Sequence, residues 1–172
     1  PLNDRNGFRD VYLRDRASGI TELVSVGLES KPANGSSQIG GLSSPAISAD
    51  GCLVAFSSVA SNLVEEDKNG AEDVFVRDRC AGITERVSVA LGGGDANGSG
   101  RNPDLSGDGR YVTFQSDATN IVSGDNNGDT DIFVFDRESH TTVRVSVADG
   151  TGEQANGDSI LPAISGDGRV VA

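Results

Sequence analysis

Three stretches of the chain place carboxylates, amides and glycine at one spacing: Asp4-x-Asn6-Gly7-x-x-Asp10, Asp67-x-Asn69-Gly70-x-x-Asp73 and Asp125-x-Asn127-Gly128-x-x-Asp131. Oxygen donors at alternate positions, a glycine for a sharp bend and a later acid are what a calcium loop requires. Two residues before the first aspartate stand Leu2, Glu65 and Ser123. Only the middle loop therefore offers an acid at every acidic position, and Glu65, Asp67, Asn69 and Asp73 form the best candidate set. Asp125, Asn127 and Asp131, and Asp4, Asn6 and Asp10, are the other two. A second account needs no metal. Asp and Asn beside Gly build turns by accepting backbone N–H groups two residues on, and the final aspartate can bond loop amides as the next strand begins.

Other chemistry is sparse. General acid–base and nucleophilic catalysis most often use histidine, and the one histidine, His140, follows Glu138-Ser139 in a polar turn. No Gly-x-Ser-x-Gly elbow, phosphate loop or His-x-x-x-His pair is present. Paired carboxylates recur with the repeat described below, as structural residues must and catalytic ones seldom do, so they single out no glycosidase pair. The expectation is a chain with no catalytic residues. Aromatic sugar platforms are scarce, with only Phe8 and Tyr12 near a loop. Asn34-Gly-Ser36 and Asn97-Gly-Ser99 match the glycosylation pattern, with turn formation as the default role.

Composition narrows the partners. The 172 residues include 23 Gly, no Trp and no Met, with a formal net charge of −12. Phosphate backbones demand clustered Lys and Arg, which excludes a nucleic-acid ligand, and the same charge opposes anionic membranes. No apolar run is long enough to span a bilayer and no signal peptide is visible; a targeting segment for export would lie outside these residues. Glycine at this level without a collagen period signals many tight turns.

The elements that carry these loops repeat. Asp10-Val-Tyr-Leu-Arg-Asp-Arg16 returns from Asp73 and from Asp131, 63 and then 58 residues on. Ser48-Ala-Asp-Gly-Cys-Leu-Val-Ala-Phe-Ser-Ser58 returns from Ser106 and begins again at Ser165, at spacings of 58 and 59. Val-Ser-Val (from residues 24, 87 and 145) and Ala-Asn-Gly (from 33, 96 and 155) keep step. Each unit reads as four short strands. Strand a is 45–48, and Asp50-Gly51 turns it into strand b, 53–57. A polar loop, 61–72, leads to strand c, 74–78. Ala81-Gly82 turns into strand d, 84–89, and a Gly/Asn-rich stretch, 91–102, precedes the next unit. Strands b and c are apolar on both faces, as in a sheet covered on both sides. One unit supplies too few strands for a sandwich domain and the right number for a propeller blade. Asp15, Asp78 and Asp136, each followed by Arg where strand c ends, are expected to form blade-to-blade ion pairs.

The segments Ser-Ala-Asp-Gly-x-x-Val-Ala-Phe-Ser-Ser and Asp-Val-Phe-Val-Arg-Asp-Arg resemble the PD40, or WD40-like, repeats of TolB-type β-propellers. The resemblance covers nearly the whole chain and implies an all-β fold of four-stranded antiparallel blades, while such blades serve in assembly proteins, peptidase gating domains and exported proteins alike. The calcium-type loops resemble those of integrin-type blades, departing from them at the first ligand position.

The repeat phase gives strands c and d alone in 1–27, full blades at 43–90 and 103–148, and strands a and b alone in 161–172. The two half-blades are complementary. Joined within one molecule they give three blades, fewer than the roughly four to eight of propellers; joined between two molecules they give six. The third reading, and the preferred one, is a window on a longer chain. In an antiparallel pair opposed residues have a constant index sum, which is 131 for Ser58 against Asp73 and 132 for Cys52 with Cys80. One repeat later the equivalent residues are Arg110 and Glu138, a plausible ion pair. The cysteines thus read as a cross-strand disulfide, implying an oxidising compartment, against the alternative of two free thiols held apart by twist. Two cysteines and one histidine do not complete a zinc site. The function expected is a non-catalytic extracytoplasmic scaffold (periplasmic, cell-surface or secreted) binding a protein or glycan partner, with calcium as the one candidate cofactor. The alternative is a propeller domain accessory to a hydrolase or peptidase domain outside these residues.

Overall fold

The alternating apolar residues and Asp-Gly turns fold into antiparallel hairpins along the chain. A computed structural model describes residues 4–38 and 44–172; Leu2 and the expected blade start at residue 43 lie outside the described residues. Strands β1 (Tyr12–Arg14) and β2 (Thr21–Leu23) form a two-stranded pair. Strands β3 (Ala46–Ile47), β4 (Leu53–Ser58), β5 (Asp73–Asp78) and β6 (Ile83–Arg86) form one four-stranded sheet in sequence order, blade I. Strands β7 (Gly100–Leu105), β8 (Tyr111–Ser116), β9 (Asp131–Asp136) and β10 (Thr141–Arg144) form blade II in the same order. Residues 161–172 make a hairpin closed by an Ile164–Val171 bridge and two 3.0 Å bonds exchanged between Ala163 and Ala172.

The a–b turn is built the same way three times. Ser48, Ser106 and Ser165 each donate a 2.6 Å hydroxyl bond to Asp50, Asp108 and Asp167. The serine oxygen in turn accepts the amide of Leu53, Tyr111 or Val170, at 2.9, 2.9 and 3.0 Å. Gly51, Gly109 and Gly168 occupy the left-handed region that Asp-Gly hairpins need. Neighbouring turns are stitched together: Ala49 donates to the Gly107 carbonyl and Gly107 to the Gly166 carbonyl, both at 2.8 Å. A Cβ on Gly107 would lie 2.9 Å from that Gly166 oxygen, so the position stays bare.

Each blade has two buried faces because successive side chains on a strand point opposite ways. Val54, Phe56 and Phe75 face back onto Val11, Val24 and Ala33 of the first hairpin. Leu53, Ala55, Val74 and Val76 face forward onto Val112, Phe114, Phe133 and Phe135 of blade II. Directly opposed phenylalanines anchor each backward face: Phe56 with Phe75 at 5.9 Å between centroids, and Phe114 with Phe133 at 5.7 Å. All four rings are fully buried.

The strands of blade I lie within one residue of the expected ranges except at the end of strand d, and the connection after it also differs. Strand d was expected over 84–89, but β6 ends at Arg86, because the Ser88 hydroxyl turns inward and accepts the Val74 amide at 2.9 Å. The loop expected over 91–102 is shorter, since β7 starts at Gly100 and accommodates Asn102 and Pro103 in a register shift between Arg101 and Asp104. A bulge is where a strand tolerates proline.

Cys52 and Cys80 form a disulfide with Cα atoms 5.4 Å apart, just beyond the Leu53–Asp78 pair that ends the b–c ladder. At the equivalent place in blade II, Arg110 lies 2.5 Å from Glu138. The bond closes a loop that contains the whole b–c connection, so Cys52→Ser with Cys80→Ser should cost about 2–4 kcal/mol, read as a lower urea midpoint with the far-UV spectrum retained.

Candidate functional site

The candidate residues sit where the b–c loop enters strand c. Asp73 is fully buried at the first position of β5. Its Oδ1 accepts the Ser88 hydroxyl at 2.5 Å, while the same hydroxyl oxygen accepts the Val74 amide. Asp10 and Ser25 repeat the contact at 2.6 Å, with Val11 donating at 3.1 Å. Asp131 and Ser146 repeat it again, with Ile132 donating at 3.0 Å. The recurrent Val-Ser-Val is therefore the hydrogen-bonding complement of the recurrent aspartate.

The loop asparagines bind protein groups on both sides of the amide. Asn69 donates to Asp73 Oδ2 at 2.9 Å and to the Ala96 carbonyl at 3.3 Å, while its own oxygen accepts the Ala71 amide at 2.9 Å. Asn6 makes the equivalent contacts with Asp10, Ala33 and Phe8, and Asn127 those with Ala155 and Asp129. The amide oxygen of each loop asparagine thus accepts an Asx-turn bond.

An arginine from strand d occupies the space between the acids. Arg86, 6% exposed, lies 3.2 Å from Asp67, 3.4 Å from Asp73 and 2.8 Å from Asp95. In blade II Arg144 lies 3.4 Å from Asp125 and 3.6 Å from Asp131, and Gln154 donates to Asp125 at 3.0 Å. In the first hairpin the equivalent residue is Leu23, and Tyr12 donates its hydroxyl to Asp4 instead. Of the set Glu65, Asp67, Asn69 and Asp73, the structure brings the last three together around the Arg86 guanidinium, while Glu65 lies apart, exposed in a groove. Among the described residues no group of three or more His, Cys, Asp or Glu side chains is arranged to hold a metal ion. Sequence reasoning missed Arg86, Arg144 and Asp95, although the arginines share the 58-residue spacing immediately before Val-Ser-Val.

The Asp-Arg pairs that end strand c also need correcting. It is the arginine, not the aspartate, that reaches the preceding blade: Arg79 pairs with Glu22, and Arg137 with Glu85 at 2.9 Å. The aspartates stay local. Asp15 and Asp78 accept turn amides, and Asp136 takes a bidentate contact from Arg110 at 3.0 and 2.7 Å. That guanidinium holds the Asp136 carboxyl well below the usual range.

The Ala-Asn-Gly motif joins successive blades. Asn34 donates its amide to Asn62 Oδ1 and accepts the Ser61 amide, each at 2.9 Å. Asn97 does the same with Asn120 and Thr119, at 3.0 and 2.8 Å. Both side-chain nitrogens of the glycosylation-type motifs are engaged, with Ser61 and Thr119. The partner asparagines had a signal of their own in Ala-Ser-Asn-Leu63 and Ala-Thr-Asn-Ile121.

Beside these joints lie two equivalent grooves. Leu28, Glu29, Glu65, Arg77 and Ile83 line one of about 430 Å³. Leu91, Gly92, Glu85, Phe135 and His140 line the other, of about 610 Å³. His140 sits in the left-handed region, with Nδ1 3.3 Å from Glu85 and its ring edge-on to Phe135.

Burial, reinforced by Asp73 and Asp95 and only partly offset by Arg86, pushes the Asp67 carboxyl up to about 6; burial also raises Asp73 and Asp125. A carboxyl raised on folding binds more protons folded than unfolded between its two pKa values, so its contribution to stability grows as pH falls. The urea midpoint should therefore rise from pH 7 to pH 5, and rise less in Asp67→Asn. Below pH 4 the sign reverses, because turn aspartates such as Asp50, Asp108 and Asp167 titrate below their ordinary value and lose their bonds on protonation. Arg86→Gln strands the buried carboxylates and should cost about 3–5 kcal/mol at pH 7, with a smaller loss at pH 5 by the same denaturation assay.

No protein-family model matches the sequence, and no curated protein does. Solved structures match the fold. TolB from Acinetobacter baumannii aligns over 95% of this chain and 31% of its own, at 20% identity and a TM-score of 0.53. A putative TolB from Agrobacterium tumefaciens aligns over 91% and 42%, at 17% identity and 0.55. Kuenenia stuttgartiensis hydrazine synthase aligns over 95% and 42%, at 13% identity and 0.50. The chain spans less than half the length of each. Its fold is that of consecutive blades of a TolB-type β-propeller.

Proposed function

We propose that this chain belongs to a non-catalytic, extracytoplasmic propeller scaffold that binds a protein or glycan partner along its rim grooves. The observation that carries this reading is how recurring and varying residues divide. The recurring aspartate and Val-Ser-Val serine bond each other in all three repeats, and the loop asparagines and the asparagines of the first two Ala-Asn-Gly motifs bond neighbouring loop and strand groups. The residues that change between equivalent positions line the grooves: Arg77 becomes Phe135, Gly82 becomes His140, and Glu29 becomes Gly92. A repeat that holds its frame constant and varies its rim is built for recognition. The Cys52–Cys80 bond supports an oxidising compartment.

Within this scaffold the guanidiniums of Arg86 and Arg144 take the part that calcium was expected to play. The melting temperature should accordingly be the same in millimolar calcium and in chelator; a rise of several degrees with calcium would overturn that assignment.

Binding is tested on peptide and glycan arrays with the parent chain and with Leu91→Asp and Glu65→Lys, one exposed substitution per groove. Dose-dependent binding to one ligand class, lost in a groove variant whose melting temperature is unchanged, supports the proposal. Absence of binding, or binding insensitive to both variants, overturns it.

A further inference from the structure

Arg77 stands apart from the other arginines of this chain. Arg79, Arg86, Arg101, Arg110, Arg137 and Arg144 each have a carboxylate within ion-pair distance. Arg5, Arg9, Arg14, Arg16 and Arg169 have none among the described residues, and all of them are exposed. Arg77 has none either, yet it is half-buried, and its guanidinium donates to the Thr84 hydroxyl oxygen at 3.1 Å. Burial draws its pKa down. The acids that oppose this, Asp78 and Glu22, are committed to the Ala81 amide and to Arg79. A guanidinium drawn out of water without an acid is costly until something supplies the opposite charge.

Arg77 lines the groove of about 430 Å³ between the first hairpin and blade I. An equivalent groove lies between blades I and II, so the feature belongs to the blade joint. Glu65 lines the same groove, is exposed, and lies beyond ion-pair distance of Arg77 or any other cation among the described residues. Glu29, the other acid on the groove, is held by Lys31 at 2.5 Å. One unpaired positive and one unpaired negative charge are thus set apart along a wall that includes Leu28 and Ile83, 42% and 62% exposed.

Taking the rim grooves as binding surfaces, as proposed above, we infer that this one receives an extended peptide segment of a partner protein, with a carboxylate side chain on Arg77, a basic side chain on Glu65 and apolar side chains over Leu28 and Ile83. A peptide fits better than a glycan on two counts. Ile83 and Thr84 belong to β6, which pairs only with β5, so the outer edge of that strand is open to an added strand. No aromatic ring lines the groove to stack on a sugar. Charge agrees with this occupant. A mainly acidic partner would be repelled by a net charge of −12, whereas one acid beside one base leaves the segment neutral. In blade II Phe135 stands in place of Arg77, so this charge selection is confined to the first groove.

The test is an array of acetylated and amidated heptapeptides, whose capped ends carry no charge, with one acid and one base moved through a Val/Leu/Thr background. It is probed with the parent chain and with Arg77→Phe, Arg77→Glu and Leu91→Asp; Arg77→Phe installs the side chain that blade II carries. Replacing the peptide's glutamate by glutamine should weaken binding to the parent about tenfold, a comparison that needs no variant. Arg77→Phe should lose that discrimination with its far-UV spectrum unchanged. Arg77→Glu should prefer a base at the position of the acid, and Leu91→Asp should match the parent. Binding indifferent to the peptide's acid, or discrimination that survives Arg77→Phe, would overturn the inference. If ligands bind only in a manner that Leu91→Asp abolishes, this inference fails and the wider rim-groove reading stands; if neither peptides nor glycans bind, both fail.

Discussion

The structure turns on a buried carboxylate at the head of strand c. Asp73, like Asp131, is fully buried at the first residue of its strand, and an ionised carboxylate there is tolerable only if it is hydrogen-bonded or paired with a cation. Meeting that demand organises most of the blade. The serine of Val-Ser-Val must face inward, which ends strand d early and hands the Val74 amide a side-chain acceptor in place of a ladder partner. The loop asparagine must bend back over the same acid, and its second donor then reaches the Ala96 carbonyl on the way to the next blade. One buried charge thus couples strand c, strand d, the b–c loop and the following connection.

The same charge explains why arginine stands between the acids in both complete blades. Several carboxylates close together are unstable without a cation, and either a metal or a guanidinium satisfies them. Arginine is the economical choice in a sheet, because it arrives on a neighbouring strand and brings five donors in a fixed fork. In blade I, Asp95 adds a third acid and Arg86 makes close contacts; in blade II, Gln154 replaces that acid, the contacts are longer, and Arg144 keeps nitrogens without hydrogen-bond partners. The first hairpin has Leu23 at that position and a tyrosine hydroxyl on Asp4. The site drifts between repeats while the Asp–Ser contact does not, which separates the frame from what the frame tolerates.

The fold was legible in the residues because a repeat measures itself: four markers returning in one order define strand number, turn positions and register. Ser58 opposite Asp73 is an index sum, and the disulfide between Cys52 and Cys80 follows from the same arithmetic. The site was only half legible. Asp-x-Asn-Gly-x-x-Asp is equally good grammar for a calcium loop and for an Asx turn beside a buried acid, and Arg86, which the fold sets among these acids, lies 13 positions beyond Asp73 on another strand. The Asp-Arg dipeptide misled for a related reason. Both residues are charged and adjacent, but strand alternation points them apart, so only Arg79 and Arg137 can reach the neighbouring blade.

Local chemistry in the chain therefore determined what a short stretch can decide by itself: the Asp-Gly hairpins, the two-faced apolar strands, the blade repeat and the net negative charge. Tertiary structure decided which side chain answers which. It brought Arg86 into the acids, Asn34 onto Asn62, Arg137 onto Glu85, and set Glu65 apart in a groove. Each of these contacts joins residues from different strands or different blades. Their distances depend on sheet twist and blade packing, quantities to which the whole repeat contributes and no single motif encodes.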